Sequence, residues 1–220
     1  MKIKNLSVTL LIPILLFSQN IQIHYDLLRE HFTTTFEGIF FDNYGYTFGF
    51  VDIDYNNRVD RFKNASLAYY EIARYFLVKG GDDLYFTFQY NDGLTNRFSF
   101  NPVWLTGLQY KVMGLPMDFL FRKEIGTDGL TIQLTVVWFY EIKRFNISGY
   151  IDIWNTGNGY PKGRIAFMSE PQFWYKLTPN IYIGGEIEIS VNFSGAWSVK
   201  REFKEGEIFL LPTFGIKWNL

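Results

Sequence analysis

Polar and aromatic side chains alternate with apolar ones in the second half of the chain, and their types could bind a small polar solute. Glu186 and Glu188 are two residues apart, and Gln172 and Trp174 repeat that spacing. Carboxylates and amides hydrogen-bond hydroxyls and exocyclic groups, while rings stack on bases or sugars. Because residues two apart point to the same face of a strand, the spacing predicts a binding surface built on strands.

A second chemistry, hydrolysis by a serine nucleophile, has little support. Such an enzyme needs a serine with a histidine base within reach. The sequence has two histidines, His24 and His31, and neither is near Ser169, whose place in its run predicts a hydroxyl on the apolar face. GxSxG, HExxH, P-loop and GxGxxG motifs are absent, and without cysteine there is no thiolate metal site. We therefore predict no enzymatic activity, no metal site and no cofactor.

The alternation continues over nearly the whole chain after residue 20. Twelve runs follow this pattern, and most reach the length that a tilted strand needs to cross a bilayer. They cover residues 21–28, 32–41, 45–55, 66–77, 83–91, 103–112, 117–124, 131–141, 145–154, 164–177, 181–192 and 208–220. The last run places its apolar residues on one face, as in the closing strand of an outer-membrane barrel. The sequence predicts an all-β fold, a transmembrane antiparallel β-barrel of about 12 strands.

The connections between the runs differ in length on the two sides of the predicted barrel. The short ones are 42–44, 79–82, 113–116, 142–144 and 178–180. The longer ones are 56–65, 92–102, 125–130, 156–163 and 193–207, and the first connection, 29–31, is an exception that is short on the long-loop side. Short periplasmic turns and longer outer loops are typical of outer-membrane barrels.

Residues 1–19 have the pattern of a secretion signal. Lys2 and Lys4 precede an apolar stretch over residues 6–17, and polar residues follow at 18–20. The stretch is too short for a spanning helix. We predict cleavage near Gln19, which leaves residues 20–220 as a barrel in the cell outer membrane of a Gram-negative bacterium.

Composition agrees with a barrel in contact with lipid. Aromatic residues make up 20% of the chain, and rings line both bilayer interfaces of such barrels. A secreted β-sandwich or lipocalin also alternates, with its apolar face turned inward, but it does not explain the unequal connections. The charge is nearly balanced, with 21 basic and 22 acidic residues, which gives no reason to expect nucleic-acid binding. The predicted partners are outer-membrane lipids, a small-molecule solute and, during insertion, the barrel-assembly machinery, and we expect a monomer.

The polar face of each run should point into a water-filled lumen, because a carboxylate in the middle of a strand is costly in hydrocarbon. The candidate solute-binding residues are Glu71, Lys111, Arg122, Tyr150, Asp152, Glu170, Gln172, Trp174, Glu186 and Glu188. Under the alternative interpretation these charges serve structure alone, with Glu170, Glu186 and Glu188 paired to Arg164, Lys111 or Lys217.

Six segments together resemble one family, the Tsx-like outer-membrane channels, and more closely an uncharacterised branch of such barrels. They are SLAYYEIARYF (66–76), TVVWFYE (135–141), SGYIDIW (148–154), SEPQFWYKL (169–177), IGGEIEISVNF (183–193) and PTFGIKWNL (212–220). The resemblance implies a monomeric twelve-stranded barrel and the passive passage of nucleosides. It carries over no individual nucleoside-binding position to this sequence.

The sequence thus predicts a channel for passive diffusion of small polar solutes, with nucleosides as the solutes that the resemblance implies. The alternative is a closed barrel with a structural, adhesive or receptor role. That alternative predicts a lumen blocked by long side chains and by loop 193–207 folding inward.

Overall fold

One antiparallel sheet runs through the whole described chain. The computed structural model describes residues 17–55, 64–80, 83–159, 161–194 and 205–220. The strands are β1 (Phe17–Asp26), β2 (His31–Asp42), β3 (Gly45–Tyr55), β4 (Leu67–Leu77), β5 (Leu84–Thr95), β6 (Val103–Val112), β7 (Leu115–Glu124), β8 (Thr131–Ile142), β9 (Phe145–Asn155), β10 (Ile165–Ser169), β11 (Gln172–Lys176), β12 (Ile181–Val191) and β13 (Ile208–Asn219).

The sheet closes because β13 pairs with strands on both of its sides. One partner is β12, and the other is β1, where Ile23 lies opposite Ile216 and Asn20 lies opposite Asn219. Closure removes the unpaired backbone edge that hydrocarbon does not tolerate. The segments β10 and β11 both lie between β9 and β12, so they form one crossing. The protein is a transmembrane antiparallel barrel with twelve crossings, which confirms the predicted fold class.

The run predicted as one strand over residues 164–177 is divided at Pro171. This residue has no backbone N–H to donate to a ladder, and regular pairing stops at Ser169 and resumes at Gln172. Ser169 lies opposite Ile151 and Gln172 lies opposite Ser148, so the register against β9 is the same on both sides of the break. The division therefore leaves the inward and outward faces of this crossing unchanged.

The outer face of the barrel is apolar and the inner face is mostly polar. On β13, Ile216 and Phe214 point outward and keep more than half of their surface accessible, whereas Lys217 points inward and is buried. Exposed apolar side chains occur around the whole ring, including Phe36, Ile72, Leu108, Phe119, Ile132 and Phe173. Such a belt is what lipid contact requires. No helix in the described part of the chain has the length and apolar content to cross a bilayer.

The first hairpin differs from the prediction. Strand β1 ends at Asp26, although the alternation predicts a strand to residue 28. The carboxylate of Asp26 accepts hydrogen bonds from the backbone N–H groups of Leu28 and Arg29 at 2.8 and 2.6 Å, so the chain turns two residues earlier. The strand also begins at Phe17, inside the predicted signal segment. Residues 1–16 lie outside the described residues, and removal of residues 1–19 stays a prediction.

The short connections are tight turns on one side of the barrel. Met113 and Gly114 join β6 to β7, and both have positive φ angles, as a type I′ hairpin turn requires. Lys143 and Arg144 join β8 to β9 on the same side. The opposite side carries the longer loops, of which residues 56–63, 160 and 195–204 lie outside the described residues. The inward-folding loop predicted at 193–207 is therefore largely outside them as well.

Candidate solute path through the lumen

Trp174 is the largest fully buried side chain among the described residues. It lies in the half of the lumen nearer the short turns, which we expect to be the periplasmic half. It begins a row that crosses four strands, in which Trp174 lies opposite Gly184, Gly184 opposite Gly215, and Gly215 opposite His24. Because the two glycines have no side chains, the indole and the imidazole approach to 5.4 Å between ring centroids. The indole N–H donates to Oε1 of Gln172 at 3.0 Å.

A ladder of polar side chains continues from His24 along β1. Nε2 of His24 lies 2.8 Å from Oε1 of Gln22, whose Nε2 donates to Asn20 at 2.8 Å. Asn20 in turn donates to Glu37 of β2 at 2.9 Å. The ammonium of Lys217 lies 4.7 Å from the ring centroid of Trp174. Buried polar groups that all have partners form a rigid wall, so this side of the lumen is well packed.

The facing wall is packed around Asp118 of β7. Its carboxylate accepts hydrogen bonds from the hydroxyl of Tyr75 at 2.7 Å, from Gln109 at 2.7 Å and from Gln89 at 3.0 Å. Tyr46 stacks on Tyr75 with ring centroids 4.4 Å apart. Together with the row at Trp174, this network narrows the periplasmic half of the lumen.

Above these layers lies a set of five inward-facing carboxylates, Asp52, Glu71, Asp152, Glu170 and Glu186, which we call the acidic chamber. Glu71 accepts from the hydroxyl of Tyr69 at 2.6 Å and from Asn91 at 2.9 Å. Glu186 accepts from Gln172 at 3.0 Å. Asp52 and Asp152 accept from the hydroxyls of Thr35 and Thr135.

The carboxylates of the acidic chamber approach one another from different walls. Glu71 of β4 interacts electrostatically with Asp152 of β9, and Asp52 of β3 does so with Glu170 and Glu186. The side chain of Glu186 keeps 19% of its surface accessible, and the other four members are only partly buried. Accessible carboxylates enclosed by a barrel wall border space that water can occupy.

Few cations balance this chamber. Arg122 donates to Glu124 at 3.2 Å, and its guanidinium lies 5.5 Å from the ring centroid of Trp154. Arg29 donates to Asp26 at 2.5 Å and to Glu188 at 2.8 Å. Burial opposes the charge on Arg29, but the carboxylates of Glu188 and Asp26 outweigh it and raise the pKa of the guanidinium above its usual range.

Arg29 was not among the predicted lumen residues. It lies in the first connection, the exceptionally short one on the long-loop side, and this connection places it over β13 between β1 and β12. The sequence does contain a signal, because Asp26 and Arg29 are three residues apart in a tight connection. Alternation does not predict the orientation of a residue in a turn. The spacing of Asp26 and Arg29 indicates an ion pair in the lumen only if the turn is assumed to contribute to the lumen wall.

The predicted charge pairs were wrong for the residues that make ion pairs in the described chain. Glu188 pairs with Arg29, not with a lysine. Arg164 pairs with Glu205 outside the lumen centre, and Lys111 lies 3.8 Å from Asp83 at the periplasmic mouth, where both side chains are exposed. Alternation predicts the face of a residue but not its height along the barrel axis, which explains these errors.

The ten candidate residues thus occupy three places. Glu71, Asp152, Glu170 and Glu186 belong to the acidic chamber, and Tyr150 and Gln172 adjoin it through Glu170 and Glu186. Arg122 and Glu188 border the chamber, because they interact electrostatically with its carboxylates, but each is held by its own contacts. Trp174 lies in the packed layer beside His24, and Lys111 is apart from the rest. Asp52, the fifth member of the chamber, was not among the predicted solute-binding residues. The solute-binding role of these residues stays a prediction.

Ser169 is not arranged as a nucleophile. It is buried, and its hydroxyl donates to the backbone carbonyl of Tyr150 at 2.7 Å. In the described ranges, no group of three or more His, Asp or Glu side chains has a spacing that could hold a metal ion.

Comparison with known proteins gives the family. Residues 18–220 match a family model described as a domain of unknown function, DUF5020. The chain belongs to the DUF5020 family. No functionally curated protein matches the sequence of this DUF5020 barrel. The family description names no solute, so the Tsx-like resemblance and its nucleosides stay expectations.

Three solved structures resemble this DUF5020 barrel at low sequence identity. A KdgM porin is 10% identical, with 92% of this chain and 99% of that chain covered and a TM-score of 0.49. A KdgM porin in complex with disordered oligogalacturonate is also 10% identical, with the same coverage and a TM-score of 0.48. A mutant of the Rh. blastica porin is 8% identical, with 94% and 100% covered and a TM-score of 0.38.

Proposed function

We propose that this DUF5020 barrel is an outer-membrane channel for the passive diffusion of small polar solutes. The acidic chamber is the observation that supports the proposal most directly. Its carboxylates lie in the middle of membrane-crossing strands, where only a wet lumen tolerates them. Asp52 and Glu186 keep accessible surface there, so a solute that enters from the outer side would meet hydrogen-bond acceptors.

The dimensions favour a solute of about one ring in width. Twelve strands enclose a lumen wider than an eight-stranded barrel and narrower than a sixteen-stranded porin. Glu71 and Asp152 project into this lumen from walls five strands apart and interact electrostatically. Tyr69 and Tyr150 adjoin the chamber and offer rings for stacking. Nucleosides have a flat base and several hydroxyls, so they are the class to test first.

The charge of the chamber favours neutral and cationic solutes over anions. Arg122, Arg29 and Lys217 interact electrostatically with members of the chamber, so five carboxylates face three cations, and Arg29 is also engaged by Asp26 and Glu188. A narrow path lined by one sign of charge repels solutes of that sign. A nucleoside should therefore pass, and the corresponding nucleoside monophosphate should be rejected.

Solute flux into liposomes tests this proposal. We expect proteoliposomes to admit adenosine and uridine, and to admit their monophosphates roughly tenfold more slowly. Tenfold is the lower end of the rate effects that charged clefts have on charged solutes. The double variant Asp52→Asn, Glu186→Gln should reduce that discrimination, whereas Ile187→Ala on the lipid face should not. Folded protein that gives neither flux nor single-channel conductance would contradict the channel.

A closed barrel with a structural, adhesive or receptor role is the second candidate. The packing of the periplasmic half of the lumen favours it. There, Trp174, Thr87 and Gln22 are each at most 1% exposed. If that layer blocks the path, wild-type liposomes stay impermeable and Trp174→Ala liposomes become permeable. The channel proposal expects flux from both proteins.

A further inference from the structure

An apolar groove lies on the lipid-facing surface of the barrel, near its periplasmic end. Its volume is about 270 Å³, and the outward-facing residues that line it are Phe145, Phe173, Tyr175, Ile183 and Phe214. Gly185 has an outward position on β12 and adds no side chain to this part of the surface. Phe173 lies opposite Gly185 on β11, and a Cβ atom on Gly185 would be 3.2 Å from Cα of Phe214 on β13.

A basic turn borders this groove at the level of the short connections. Lys143 and Arg144 form the two-residue link between β8 and β9, and both side chains are exposed. A guanidinium nitrogen of Arg144 lies 3.5 Å from the hydroxyl of Tyr175, and the ring of Tyr175 packs edge to face on Phe145, 5.2 Å between centroids. No carboxylate in the described ranges forms an ion pair with Lys143 or Arg144.

We propose that the groove binds one anionic phospholipid molecule of the periplasmic leaflet. Its phosphate would be held by the Lys143–Arg144 turn and the hydroxyl of Tyr175, and an acyl chain would lie between Phe173 and Phe214. Arginine binds phosphate oxygens with its planar fork, and basic residues beside the hydrocarbon boundary attract anionic lipid headgroups. The proposal depends on the membrane-spanning fold and not on solute conduction.

Arg74 provides a matched contrast on the same side of the barrel. It too lies beside an aromatic ring, with its guanidinium 4.9 Å from the ring centroid of Phe76. Asp42 already neutralises it, at 2.8 Å. Because the charge of Arg74 is paired and that of Arg144 is not, only the second is available to a phosphate.

Lipid retention in native mass spectrometry tests the site. The protein is released from micelles that contain phosphatidylglycerol or phosphatidylethanolamine, and the lipid that stays bound is counted. We expect wild-type protein to retain phosphatidylglycerol preferentially, and Lys143→Asn and Arg144→Gln each to weaken retention about fivefold. Asn at position 143 preserves the turn, because Lys143 has a φ of 57°. Ile183→Trp should fill the groove and reduce retention of both lipids.

Arg74→Gln is the control and should retain phosphatidylglycerol as the wild type does. All variants are first shown to be folded by their compact migration on unheated gels. Equal retention of the two lipids by the wild type would overturn the proposal. It would also be overturned if Arg144→Gln and Arg74→Gln retained the lipid equally.

Discussion

The rings of His24 and Trp174 meet edge to face, with centroids 5.4 Å apart, although two strands separate the strands that carry them. Gly184 and Gly215 occupy the intervening positions. A Cβ atom on Gly215 would lie 3.2 Å from Nδ1 of His24, and one on Gly184 would meet the backbone of Phe173 and Trp174. The contact therefore depends on two residues that make no side-chain interaction of their own.

Replacement of Trp174 by alanine should widen the periplasmic half of the lumen. The indole is fully buried between His24 and Lys217, and its loss leaves a space whose polar neighbours can hold water. We expect Trp174→Ala to increase the flux of larger solutes such as disaccharides, measured by liposome swelling. Ile187→Ala on the outer face should leave that flux unchanged, and an equal increase in both variants would contradict the assignment of Trp174 to the path.

Alanine at position 184 should destabilise the barrel. A Cβ atom on Gly184 would lie 1.9 Å from the carbonyl oxygen of Phe173 on the neighbouring strand, so the backbone would have to move. We expect Gly184→Ala to lower the free energy of unfolding by about 1–3 kcal/mol, the usual cost of overpacking. Urea unfolding in lipid vesicles measures it. Ser148→Ala, a small change at another inward position, should stay within about 0.5 kcal/mol.

Removal of Arg29 should be costly, because it leaves two buried carboxylates without their partner. The side chains of Asp26 and Glu188 are 2% and 7% exposed. We expect Arg29→Ala to lower the free energy of unfolding by about 3–5 kcal/mol. The matched control is Arg164→Ala, which breaks a half-exposed ion pair with Glu205 and should cost about 0–1 kcal/mol.

The contribution of Arg29 should also be nearly independent of pH over the neutral range. Its pKa is higher in the folded than in the unfolded chain, so the stabilisation is fully present below the unfolded value and is lost only as the pH rises through the folded value. The difference in unfolding free energy between wild type and Arg29→Ala should therefore be constant between about pH 7 and pH 9, well below the ordinary arginine pKa. A decrease over this interval would contradict the charge assignment.

The two faces of the barrel should respond differently to a new lysine. Ile187 points to lipid and Thr135 points into the lumen, where it donates to Asp152. We expect Ile187→Lys to cost about 2–4 kcal/mol near the middle of the membrane and Thr135→Lys to be tolerated beside the carboxylates. The yield of folded barrel after dilution from urea into vesicles compares them, and equal yields would contradict the face assignment.

The fold could be predicted from the sequence because side chains of a barrel strand alternate between two faces, and lipid requires the outward face to be apolar. The outward orientation of Phe214 and Ile216 on β13 therefore follows directly from the apolar alternation. The alternation alone also placed Glu71, Asp152 and Glu186 on the inner face.

The contacts inside the lumen were less accessible, for a geometric reason. Whether Glu188 meets Lys217 or Arg29 depends on strand tilt and register, which set the height of each residue, and these follow from pairings across the whole sheet. Arg29 lies in a turn, where the two-residue repeat does not apply. The division of a strand at Pro171 could be foreseen from its missing N–H, but its unchanged register could not.

The pairing of residues 20–26 with residues 213–219 joins segments that are separated by nearly the whole polypeptide. Contacts of such long sequence separation form late, because the chain must lose the entropy of barrel closure before the pairing of β1 with β13 gives any stabilisation. Until β13 is in place, β1 and β12 each present bare amide and carbonyl groups to their surroundings. The growing sheet is therefore expected to need a temporary partner for both edges, and a truncation within the last nine residues should trap the molecule at that stage.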